Sequence, residues 1–216
     1  MTVKVKICGL TATPTLDVAL SAGADYVGLV FFPKSPRHLD VTTAASLAAV
    51  ARGRAEIVAL LVDPDDATLN SVMEAVAPDI IQLHGRETPD RVAQVANLAK
   101  RPVMKAISVG SEHDALKALE YRLAADLILF DAKPPPDAAL PGGNGVTFDW
   151  TLLAGVKDRV PYMLSGGLTP DNVSAAIAAT GAHTVDVSSG VESAPGVKDP
   201  ELIRRFLRAA KTANQT

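Results

Sequence analysis

Short β-branched and aliphatic runs alternate along the chain with longer stretches in which apolar positions return every three or four residues. The spacing predicts strands at Val3–Cys8, Tyr26–Phe31, Glu56–Val62, Asp79–Leu83, Val103–Ile107, Asp126–Phe130, Tyr162–Leu164 and Thr184–Ser188. Helix starts stand between them. Thr13-Pro14-Thr15 opens a run to Ser21, Asp65-Asp66 precedes Ala67–Ala77, and Thr169-Pro170-Asp171 precedes Asn172–Ala179. In each, a Ser, Thr or Asp oxygen is expected to accept unpaired amide protons of the first turn. Strand and helix in strict alternation imply a parallel sheet with right-handed crossovers. Eight such units in 216 residues suit a closed (β/α)8 barrel, one α/β domain spanning residues 1–216. A doubly wound open sheet would be built from fewer strands, and no G-x-G-x-x-G follows the first one. One stretch breaks the rhythm. From Asp131 to Gly145, after strand six, the chain is rich in Pro and Gly, long enough to act as a lid.

Composition narrows this picture. Hydrophobic residues make up 48% of the chain but aromatic ones only 4%, so aliphatic side chains must fill the interior. The formal charge is -3 without any polybasic tract, which argues against nucleic-acid binding. No window is apolar for the roughly 18 residues that a membrane span needs, and the N-terminus lacks the apolar core of a secretory signal. Cys8 is the sole cysteine. It has no disulfide partner and cannot build a thiolate metal site alone, so the expected setting is reducing and cytoplasmic. The four histidines show no ligand spacing, and neither metal nor cofactor is expected.

In barrels of this kind the chemistry gathers at the C-terminal ends of the strands. Those ends read Cys8-Gly9, Phe32-Pro33-Lys34-Ser35-Pro36-Arg37, Asp63, Gln82-Leu83-His84-Gly85, Asp131, Ser165-Gly166-Gly167 and Ser188-Ser189-Gly190. Gly166, Gly167 and Gly190 let backbone amides approach an anion, and Ser188 and Ser189 add hydroxyls, so the last two turns predict a phosphorylated small molecule. Each glycine pair alone would also serve a tight turn. Cys8 is either a small buried hydrophobe or a base whose thiol, with an ordinary pKa of about 8.5, needs modest electrostatic help. Lys6 shares its strand parity and would supply that help. Asp131 ends an apolar run, where partial burial favours a proton donor, although a turn or cap role is the common alternative. Arg37 either turns its planar donors toward a carboxylate or lies solvated on the surface. His84 serves substrate or a structural hydrogen bond. Asp186 shares the parity of Ser188 and faces the lumen beside strand one, where Lys6 is its expected partner.

Six of these motifs, in order, resemble phosphoribosylanthranilate isomerases of tryptophan biosynthesis. They are Lys6-Ile7-Cys8-Gly9-Leu10-Thr11, Phe32–Arg37, Gln82–Gly85, Phe148-Asp149-Trp150, Leu164–Leu168 and Asp186–Glu192. The resemblance implies a cofactor-independent Amadori rearrangement of N-(5-phosphoribosyl)anthranilate, by an enzyme that is a monomer or a homodimer. It makes Cys8 the general base and Asp131 the general acid. Arg37 would hold the anthranilate carboxylate, and Gly166, Gly167, Ser188, Ser189 and Gly190 the phosphate, while His84 and Asp186 line the sugar site. The Pro-rich segment Pro134–Pro141 and the C-terminal residues 209–216, expected to fray, fall outside the shared motifs. Two other readings remain: the related histidine-pathway isomerase, with an aspartate where Cys8 stands and two phosphate loops, and a silent phosphosugar-binding barrel.

Overall fold

A computed structural model describes residues 2–135, 137–138 and 140–213. The elements run β1 (Lys4–Cys8), α1 (Thr13–Ser21), β2 (Tyr26–Phe31), α2 (Val41–Ala51), β3 (Glu56–Leu61), α3 (Asp66–Val76), β4 (Ile80–Leu83), α4 (Pro89–Ala99), β5 (Val103–Val109) and α5 (Glu112–Leu116). Then follow β6 (Leu127–Ala132), β7 (Tyr162–Leu164), α6 (Val173–Thr180), β8 (Thr184–Val187), a small hairpin of β9 (Glu192–Ala194) and β10 (Val197–Lys198), and α7 (Pro200–Thr212). Strands β1 to β8 close in chain order into one barrel, and every pairing, including β8 with β1, is parallel.

The eight predicted strands are all present within two residues of their expected ends, whereas the helices depart from the simple repeat. After β5 the helix has five residues and continues as a 3-10 turn, Lys117–Tyr121. After β6 there is only the 3-10 segment Trp150–Leu153. The cause is local chemistry: prolines lack the amide donor, and Gly143 and Gly145 sit at positive φ. Pro136 and Ala139 of this loop lie outside the described residues. Two expected caps also differ. Helix α1 starts after Ala12 with no side-chain cap, and in α6 the Asn172 carboxamide reaches back to accept from Thr169 N at 2.8 Å. The Asp65 cap forms as expected, accepting from Thr68 N. The chain end does not fray where expected, since α7 runs to Thr212; residues 214–216 lie outside the described part.

Alternation along each strand sorts the interior into two layers. Tyr26, Val58, Ile80, Met104, Leu129 and Met163 fill the lumen, while Val5, Ile7, Val27, Ile57, Ile81 and Val185 face the helices. At the N-terminal face a pattern recurs that the sequence reading passed over. Asp25, Asp79 and Asp126, each just before an even-numbered strand, accept at 2.7 to 2.8 Å from the backbone of Val5, Ile57 and Val103 on the preceding odd-numbered strand. Three of four strand pairs are thus stapled by the same contact.

Candidate active site

The lumen parity that fills the barrel with aliphatic side chains puts polar ones at its upper end. Cys8, Gln82, Asp131, Ser165 and Asp186 occupy the top lumen-facing positions of five strands, and all are buried. A cavity of about 790 Å³, counted to its open mouth, is lined by all ten residues given a catalytic or substrate-binding role from the sequence: Cys8, Arg37, His84, Asp131, Gly166, Gly167, Asp186, Ser188, Ser189 and Gly190. Asp63, the other polar strand end, is not among the lining residues. Its carboxylate accepts from Arg86 N and its own amide donates to Glu87, which fixes the loops beside the site.

Cys8 is 4% exposed, and Gly28 across from it on β2 makes room, since a β-carbon there would stand 2.8 Å from Sγ. Burial pushes the thiol above its ordinary value, opposed chiefly by the charge of Lys6 and less by that of Lys198, while Asp186 adds to the rise. Lys6 Nζ bonds Asp186 Oδ1 at 2.9 Å, the pairing that strand parity predicted. Asp186 Oδ2 also accepts from Ser165 Oγ. The ion pair keeps both charges beneath the thiol without stranding either in the lumen.

Asp131 has His84 as its neighbour across the cavity floor. His84 Nε2 stands 3.3 Å from Asp131 Oδ2, but off the hydrogen-bonding direction, so it is left unpaired. Gln82, which the sequence reading quoted but did not assign, touches His84 Nδ1 with its Nε2 at 3.1 Å and leaves its own Oε1 unpaired. Both unpaired atoms belong to residues that line one cavity, where they are available to hydrogen-bond with its occupant. The Pro- and Gly-rich loop covers this floor. A β-carbon on Gly142 would press on Asp131 Oδ2 and His84 Nε2, so the glycine lets the loop backbone lie directly over both side chains.

Arg37 turns inward, but half of its fork is already taken. Nε and Nη2 bond the two carboxylate oxygens of Glu192 at 2.7 and 2.8 Å, and Nη2 also donates to Gly143 O at 3.3 Å. Nη1 is what remains for a ligand. Glu192 stands at the end of the motif beginning at Asp186, yet its partner lies 155 residues away and no local spacing announces it. Lys198 completes the group, donating to Glu192 Oε1 at 2.6 Å and to Ser188 O at 2.9 Å. Burial works against each charge here, but Arg37 and Lys198 together hold the Glu192 carboxyl below its usual value, and Glu192 raises that of Arg37.

At the turn after β7, Gly166 and Gly167 have φ of 87° and 62°. A β-carbon on Gly167 would come within 2.6 Å of Thr147 N, so the left-handed turn and the close lid backbone both require glycine. After β8 the 3-10 turn Ser189–Val191 faces the same end of the cavity. The Ser188 hydroxyl lines the cavity while donating to Cys8 O at 3.2 Å and accepting from Lys198.

Over residues 5–209 the chain matches the family described as N-(5'phosphoribosyl)anthranilate (PRA) isomerase. An N-(5'-phosphoribosyl)anthranilate isomerase of Rhodopseudomonas palustris (strain BisA53) is 56% identical over 215 residues, covering 100% of this chain and 99% of that one. Among solved structures, phosphoribosyl anthranilate isomerase from Thermotoga maritima has a TM-score of 0.88 at 37% identity, covering 97% of this chain and 98% of its own. A phosphoribosyl anthranilate isomerase in complex with reduced 1-(o-carboxyphenylamino)-1-deoxyribulose 5-phosphate gives 0.85 at 35% identity, with the same coverage of 97% and 98%.

Proposed function

Because this chain belongs to the phosphoribosylanthranilate isomerases of tryptophan biosynthesis, we propose that its cavity binds N-(5-phosphoribosyl)anthranilate and isomerises it with Cys8 as base and Asp131 as acid. The single observation that carries this reading is the joint placement of Cys8, Asp131, Arg37 and the two glycine turns around one cavity. The phosphate lies against Gly166, Gly167, Ser189 and Gly190, and the anthranilate carboxylate meets the free Nη1 of Arg37. The ribose between them meets Asp131, His84 and Gln82, whose unpaired Oε1 and Nε2 take up hydroxyls. Asp131 gives its proton to the ring oxygen, and the C1–O bond breaks to leave an open-chain imine. The Cys8 thiolate then removes the C2 proton, and the electron pair shifts toward nitrogen to form the enolamine. Protonation at C1, with loss of the C2 hydroxyl proton, yields the aminoketose, 1-(2-carboxyphenylamino)-1-deoxyribulose 5-phosphate, with no net gain or loss of atoms. Acid and base stand three strands apart around the ring, on β6 and β1, so both reach the same sugar without meeting each other.

The reading is checked by following the loss of substrate fluorescence with wild type, Cys8→Ser and Asp131→Asn. Each variant is expected to lose roughly 10²-fold or more in kcat, the usual worth of a positioned proton transfer. Full activity in either one defeats the assigned roles.

A further inference from the structure

The bidentate grip of Glu192 on Arg37 is not needed to neutralise a charge, because Lys198 already satisfies the same carboxylate. Arg37, Glu192 and Lys198 are all buried, with side chains 7%, 4% and 1% exposed, and together they carry one surplus positive charge. Their contacts are specific. Glu192 takes the Nε and Nη2 donors of Arg37, accepts from Lys198 Nζ and receives the Gly196 amide at 3.2 Å. Gly196 in turn lies against Pro36 O, where any β-carbon would collide, so the β9–β10 hairpin is seated on the loop that carries Arg37. Lys198 ties the group to Ser188, whose hydroxyl bonds Cys8 O. One carboxylate therefore joins the loops after β2 and β8.

The geometry points to Glu192 and Lys198 as positioning residues for the substrate's carboxylate: Glu192, with Gly143 O, occupies Nε and Nη2 of the Arg37 guanidinium so that Nη1 is left for a ligand in the cavity, and Lys198 restores the positive charge that Glu192 cancels. This rests on Arg37 being the carboxylate's partner. A guanidinium is planar and delocalised, so fixing one edge fixes the direction of the other. A free arginine on a loop would satisfy a carboxylate in several orientations and place the aromatic ring less sharply above the sugar. The arrangement also makes a prediction that plain electrostatics reverses. Replacing Glu192 by glutamine adds a positive charge to the site, which on charge alone tightens an anion, but it releases the guanidinium, which weakens a directional contact.

The test is a pair of ligands: reduced 1-(o-carboxyphenylamino)-1-deoxyribulose 5-phosphate and the same molecule with hydrogen in place of its carboxylate. Their Kd ratio, measured calorimetrically for each protein, isolates the carboxylate's share of binding. In wild type the carboxylate is expected to tighten binding roughly 10-fold or more, as charge-assisted bonds do. In Glu192→Gln and in Lys198→Gln the ratio is expected to fall toward one, with the affinity for the carboxylate-free ligand held within about threefold of wild type, showing an intact cavity. Lys198→Arg, which keeps the charge, is expected to recover the ratio. An undiminished or larger ratio in Glu192→Gln overturns the positioning role. A ratio near one already in wild type overturns the reading of Arg37, and this proposal with it, so the two failures are distinguishable.

Discussion

The thiol of Cys8 lies between opposing influences. Burial favours its neutral form, whereas Lys6 and, more weakly, Lys198 favour the thiolate. Because burial leads and the folded pKa is raised, the free enzyme's thiolate fraction grows as pH rises through and beyond the ordinary thiol range of about 8.5. Alkylation of Cys8 by iodoacetamide, followed across pH, is expected to report that raised midpoint. In Lys6→Met the midpoint should move still higher, since the variant removes a cation and leaves Asp186 uncompensated. An unmoved midpoint would dispose of Lys6 as the tuning group. Parity along two strands was enough to foresee the Lys6–Asp186 pair, because neighbours in a parallel ladder face the same side. Nothing comparable foretold Glu192 on Arg37, a contact between two loops that depends on how both fold over the rim. Gln82 was visible as a strand-end residue, but its unpaired oxygen appears only when the surrounding partners are known.

Elements follow the same division between local rule and long-range arrangement. All eight strands were legible because apolar runs of three to seven residues bounded by turn residues have few other stable uses, and their ends moved by two residues at most. Helices after β5 and β6 were not, since a βα rhythm says nothing about which crossover has been shortened to make room for a lid. The turn after β7 combines both cases. Its glycines were read as an anion cradle, yet the structure adds a second reason for them in the lid backbone at Val146 and Thr147. Gly167→Ala should therefore act twice, straining a backbone at φ of 62° and pushing the lid outward. A rise in KM with a smaller change in kcat is expected, together with roughly 1 kcal/mol or more of lost stability. A substitution that leaves both KM and the melting temperature untouched would show that the close packing there is not required.

At the scale of the whole molecule, the barrel separates a face that works from one that holds. No helix among the described residues is long and apolar enough to cross a membrane, and the helices instead clothe a closed ring. Polar burial between ring and helices is concentrated at Lys105 and Glu87, 2.7 Å apart on the outer side of β5. Lys105 also holds Gly85 O and Glu87 the Gly85 amide, so this pair clamps the turn that presents His84. The opposite face carries the three aspartate staples, and the fourth strand pair has a comparable tripeptide at the same place: Ala24-Asp25-Tyr26, Pro78-Asp79-Ile80, Ala125-Asp126-Leu127 and, for the fourth, Ala182-His183-Thr184. The ladder register places residue 183 opposite Tyr162, as Asp25, Asp79 and Asp126 stand opposite their own acceptor-seeking amides. The fourth copy has an imidazole where the others have a carboxylate. His183→Asp should offer the Tyr162 amide the carboxylate contact that the other three pairs have and raise the melting temperature, by about 1 kcal/mol of stability for one more hydrogen bond, without touching kinetics. A lower melting temperature would show that this corner does not accept the aspartate contact. The protein thus carries, on the side away from its chemistry, an unfinished fourfold symmetry that an engineer can complete.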